Sequence, residues 1–258
     1  MLSALGLAGS AGANQSVKLT ATLTPERLGR GTTVGFAFEI SGPPNRVPAP
    51  LVGVELSYPS NLGFALSGLG LATCQPATLA ELGPKGCPPN SHMGTGSAVG
   101  QLAAEGTTVP EQAQVAIVRG PTREGHLGLL FYVNGSEPVR AQLVFPGLLV
   151  PASPPFGGAV SLAVPLIPSW PEGPNVALVQ LRSTLGPEHL TYYHDVDGKT
   201  LPYKPQGILL PRLCPRAGFA FAAAFAFADG SRARASSIVP CPSPSREGDG
   251  TLQRAGER

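Results

Sequence analysis

Residues 217–241 read AGFAFAAAFAFADGSRARASSIVPC, and their alternation decides the fold class. Phe219, Phe221, Phe225 and Phe227 are separated by alanines at even spacing, so an extended strand projects all four rings to one side. Asp229-Gly230 then turns the chain, and residues 231–239 run back. A two-residue Asp-Gly loop would set Phe227 against Arg232 and Phe225 against Arg234, mixing rings and charges on a shared face. A three-residue loop, Ala228-Asp229-Gly230 with Gly230 left-handed, shifts the register by one and sets Phe225 against Ala233. Burying a phenylalanine ring is worth roughly 2–3 kcal/mol, which favours the three-residue loop. The phenylalanine face is then core, and the face of alanine and arginine meets water or a partner.

Outward from this hairpin, Cys214 and Cys241 stand outside its two ends, and the other two cysteines, Cys74 and Cys87, are also close in sequence. Two local pairs predict two disulfides, Cys74–Cys87 and Cys214–Cys241, and an oxidising compartment. The first pair brackets the one plausible helix, with Pro76 at its first position and Gly83 as its stop. A metal site is the alternative there, but no C-x-x-C occurs and His92 alone does not complete four ligands.

Strand signals recur at 16–24, 32–40, 51–58, 97–103, 114–119, 127–133, 139–145, 159–164, 176–184, 190–196 and 199–203, separated by Gly/Pro turns. Asn134-Gly135 and Asp197-Gly198 read as hairpin turns. The expected fold is all-β, an immunoglobulin-like or jelly-roll β-sandwich with one short helical loop. Its domain spans residues 14–241. Residues 146–174, rich in proline, read as a crossover packed on the core. The alternatives for them are a rigid apolar loop meeting a partner, or a boundary between two lobes. Residues 1–13 resemble part of a signal peptide, with Ala11-Gly12-Ala13 as an A-x-A-like cleavage site, and residues 242–258 a disordered tail. Export to the cell surface or beyond follows from the leader and the cysteines together.

Composition narrows the function. Net charge is +2 with 13% charged residues, and no basic stripe carries interleaved aromatics, which argues against nucleic acid. No run of eighteen apolar residues predicts a membrane-spanning helix. No nucleophile elbow, H-E-x-x-H or complete phosphate loop occurs, so no catalytic residue, cofactor or metal site is assigned. Gly94-Thr95-Gly96 is half a phosphate loop without its lysine. The one dense polar cluster is His189, His194, Asp195 and Asp197. It reads as a calcium loop lacking its later carboxylates, or as a strand leading to a hairpin tip. Trp170, Tyr192, Tyr193 and Tyr203, with His194, are the candidate ligand surface, an aromatic platform on which a sugar could stack.

The run Gly70-Leu71-Ala72-Thr73-Cys74, then Cys87-Pro88-Pro89-Asn90-Ser91-His92-Met93-Gly94-Thr95-Gly96, resembles uncharacterised exported proteins of soil actinobacteria, as do 189–193 and 207–211. The resemblance spans most of residues 17–242 and implies a secreted, mostly β architecture with the first cysteine pair bridged. It transfers no activity. The expected function is a non-catalytic extracytoplasmic binding or structural protein acting on a cell-envelope polymer or another envelope protein. The alternatives are a carbohydrate-binding module and a secreted hydrolase built on His189 or His194.

Overall fold

Alternation of the kind seen in 217–241 recurs along the chain, and among the described residues it produces fourteen strands and one α-helix. The computed structural model describes residues 15–44, 46–64, 67–104, 107–137, 140–168 and 175–242. In chain order the elements are β1 (Ser16–Thr24), β2 (Gly31–Ser41), β3 (Leu51–Pro59), α1 (Pro76–Leu82), β4 (His92–Ala104), β5 (Thr107–Arg123) and β6 (His126–Glu137). There follow β7 (Ala141–Val150), β8 (Phe156–Ala163), β9 (Ala177–Leu185), β10 (Tyr192–Val196), β11 (Lys199–Tyr203), β12 (Ile208–Leu209), β13 (Phe219–Phe227) and β14 (Arg232–Val239).

The phenylalanine hairpin takes the register that buries its rings. Phe225 pairs with Ala233 and Ala224 with Arg234, and Gly230 sits at φ +82° in the left-handed region that glycine tolerates. Asp229 Oδ1 accepts hydrogen bonds from Ser231 N (2.9 Å) and Ser231 Oγ (2.6 Å), which fixes the turn. All four rings are buried, while Arg232 and Arg234 are exposed on the other face.

Eleven strands then join edge to edge in the order β1-β2-β9-β4-β5-β6-β7-β8-β3-β13-β14, with β12 added beside β2. The all-β class with one short helix is therefore what the chain adopts. Its strands, however, form one curled sheet, where the sequence suggested the two facing sheets of a sandwich. The reason lies in β3, which pairs with β8 on one side and β13 on the other and so links what would have been separate layers. The curl brings the ends of the sheet together. Ala21 N of β1 donates to Ser237 Oγ of β14 at 3.0 Å, and Gln15 Nε2 donates to Asp229 Oδ2 at 3.2 Å. Every neighbouring pair along the path is antiparallel. An odd number of alternating strands leaves β1 and β14 pointing the same way, so the seam is spanned by side chains and the barrel is nearly closed.

The barrel interior is the core. Phe36 meets Phe221 edge-on at 5.4 Å and Phe38 meets Phe225 at 5.1 Å, joining β2 to β13 across the interior. A second, smaller cluster lies outside the barrel wall. Leu79 of α1 packs with Val118, Leu130, Tyr132 and the Cys74–Cys87 disulfide over the outer faces of β5 and β6. The helix begins at Pro76 and ends at Gly83 (φ +66°), as its sequence predicts. The second predicted disulfide, Cys214–Cys241, ties the foot of the phenylalanine hairpin.

Two expectations are corrected. Asn134-Gly135 is no turn. It lies inside β6, where Gly135 pairs with Ala113 and Ala141, and the chain turns instead at Glu124-Gly125 (φ +51° and +78°). Sheet pairing on both sides overrides the local turn preference of the dipeptide. Residues 146–174 do not begin as a crossover. β7 continues to Val150, and β8 returns antiparallel beside it. Pro146 is tolerated within β7 because pairing to β8 starts only at Gly147, so no ladder bond needs its missing N–H. Trp170 and the leader and tail of the chain lie outside the described residues.

Candidate ligand cavity

Successive inward rows of the barrel shrink toward one end. The first row joins Ile117, Phe131 and Phe145 across β5, β6 and β7, with the two rings stacked at 5.6 Å. Two residues along, the row is Val115, Val133 and Leu143. Two further along it is Ala113, Gly135 and Ala141, and Ala98 of β4 pairs with Ala113 to extend this run of small side chains. Directly opposed residues share a face, so four adjacent strands present almost no side chain at the same level. The facing wall keeps its bulk in Leu51, Val54, Leu162 and Val164.

The taper leaves a cavity of about 130 Å³ whose wall is almost wholly carbon. Apolar voids of about 150 Å³ stay dry and admit guests the size of benzene. Pro165 and Leu166 line this cavity and are themselves exposed, so it reaches solvent at that end. Beyond Ala113 on β5 comes Glu111, 6% exposed, the one ionisable side chain on the described wall. Glu111 is engaged within the fold.

The residues singled out in the sequence lie elsewhere. Tyr192 is fully buried, donates its hydroxyl to the His92 carbonyl and accepts from Gly70 N at 2.9 Å. Burial pushes its phenol above the ordinary value, partly opposed by the Gly70 bond. Its ring stands at 90° to that of Tyr203, so these two do not make the flat, exposed stacking surface a sugar needs. Tyr193 is exposed on the other face of β10, where Asn90 clamps its backbone with bonds of 2.7 and 2.8 Å. His194 leans on Tyr203 at 4.9 Å.

Asp195 accepts from Thr200 Oγ1 at 2.7 Å, and Asp197-Gly198 forms the β10–β11 turn (φ +50° and +75°). That is the hairpin-tip reading of the acidic cluster. Among the described residues no three His, Cys, Asp or Glu side chains gather as metal ligands. His189 lies 3.7 Å from its neighbour Glu188 and is 80% exposed. Both border a shallow polar trough on the outer wall. Its floor is Gly35 and Ala37 of β2, and its sides carry Thr22, Thr95, Thr184 and Arg182. Gly94-Thr95-Gly96 is part of β4, not a phosphate loop. Buried His92 titrates below the ordinary 6.5 because burial disfavours the imidazolium, with the Pro84 carbonyl opposing.

The cavity was not anticipated from the sequence. Each strand shows its own small residue, but only the pairing register aligns Ala98, Ala113, Gly135 and Ala141 in one row. No family model, curated protein or solved structure matches this chain.

Proposed function

We propose that this chain is a non-catalytic binding protein of the extracytoplasmic space that holds an apolar ligand inside its barrel. The observation that carries the reading is the aligned row of alanine and glycine, which opens a carbon-walled cavity where a barrel otherwise fills itself with side chains. A wall with a single carboxylate suits holding a ligand better than transforming one. The two disulfides, the leader-like residues 1–13 and the resemblance to exported actinobacterial proteins support a location outside the cytoplasm.

The test is thermal stability of the oxidised full chain against a panel of small apolar compounds, including toluene, naphthalene and decan-1-ol. A ligand at about a hundred times its Kd stabilises by about 2.7 kcal/mol, a shift of roughly 5–10 °C at this chain length. Saturable shifts with one or more compounds support the reading. No shift across the panel refutes it.

A further inference from the structure

We infer that the ligand is a single unbranched alkyl chain of a neutral or cationic amphiphile, entering tail first along the barrel with its polar end beside Glu111. The inference rests on the reading above and names the class of ligand. Its first support is shape. The cavity wall runs along β5 from Glu111 through Ala113 to Val115. Four residue steps of strand cover roughly 13 Å. A volume of about 130 Å³ drawn out over that length is a tube about one hydrocarbon chain wide. At ordinary carbon–carbon bond lengths it accepts a tail of roughly ten carbons.

The second support is polarity along the tube. Its floor is aromatic, with Phe38, Phe131 and Phe145, its middle is aliphatic, and its one carboxylate stands toward the exposed Pro165 and Leu166. A guest of uniform polarity fits this gradient poorly, whereas an amphiphile matches it from end to end. A carboxylate offers about four acceptor sites, so Glu111 retains capacity beyond its existing interaction. It favours a hydroxyl, amide or ammonium head and disfavours an anionic one.

The experiment uses the oxidised full chain and measures Kd by calorimetry for linear 1-alkanols of increasing length, for decanoate and for naphthalene. Affinity is expected to rise roughly fourfold per added methylene and to level off near ten carbons, with decan-1-ol at least about tenfold tighter than decanoate. Ala113→Leu fills the tube. It is expected to weaken decan-1-ol at least about tenfold while the ligand-free protein melts no lower than the parent. Glu111→Gln is expected to narrow the gap between alcohol and carboxylate.

Naphthalene binding without alkanol binding overturns the alkyl inference and leaves the barrel-binding reading standing. Absence of all binding overturns both. Alkanol affinity independent of chain length, or unchanged in a folded Ala113→Leu protein, places the ligand outside the tube and overturns the inference. If Ala113→Leu does not fold, the chain-length series on the parent decides alone.

Discussion

At Gly230 the whole left-handed requirement falls on one residue, and a Cβ built there meets nothing within 4 Å. Gly230→Ala therefore isolates backbone strain from packing and is expected to cost about 1 kcal/mol, read from the urea midpoint. A loss several times larger would mean the turn is held by contacts not seen around Gly230.

His92 gives a second test at this scale. Its folded pKa lies below 6.5, so the unfolded chain takes the proton first. Its contribution to stability is complete above about pH 6.5 and is lost as the pH falls through that value toward the folded pKa. His92→Gln is expected to reduce the drop in urea midpoint between about pH 7.5 and about pH 5. An unchanged drop would show that other groups account for all of it.

Among the elements, α1 is too short to persist alone and is held by what surrounds it. Leu79 is fully buried against Val118, Leu130 and Tyr132, and the Cys74–Cys87 bridge closes the loop that carries it. The double variant Cys74→Ala/Cys87→Ala is expected to lose about 3 kcal/mol by chemical denaturation, through a less constrained unfolded chain. It should also uncover the outer apolar patch of β5 and β6, seen as faster amide exchange at Leu79 and Val118. Retention of parental stability would mean that packing under α1 suffices without the bridge.

Across the whole molecule, the weakest line is the seam. β1 and β14 run the same way and are spanned by Ser237 and Gln15 side chains, whereas every other junction has a backbone ladder. Hydrogen exchange is expected to be faster in β1 than in β5 or β6, which are paired on both sides. Ser237→Ala should increase the difference, with exchange at Ala21 rising about fivefold for a bond worth about 1 kcal/mol. Equal protection in all three strands would show that the seam is closed as firmly as the rest. The seam also joins residues some 216 positions apart, a non-local closure of the kind that makes folding slow.

Local chemistry determined much of this protein from its sequence. Period-two patterning placed most of the strands, ring burial chose the register of the phenylalanine hairpin, and Pro76 and Gly83 bounded the helix. Local spacing paired the cysteines as they are bridged. Each of these depends on residues within a few positions, or on a hairpin's own two strands. Tertiary structure alone decided the rest. β12 is two residues long and carries too little pattern to read. Asn134-Gly135 is a turn by local preference and a strand by virtue of β5 and β7 on either side. Tyr192 resembles a surface aromatic until its burial is known. Barrel closure and the cavity both depend on which strand lies beside which, and on four small residues from four strands falling at one level. That alignment is a property of long-range pairing, which no single strand encodes.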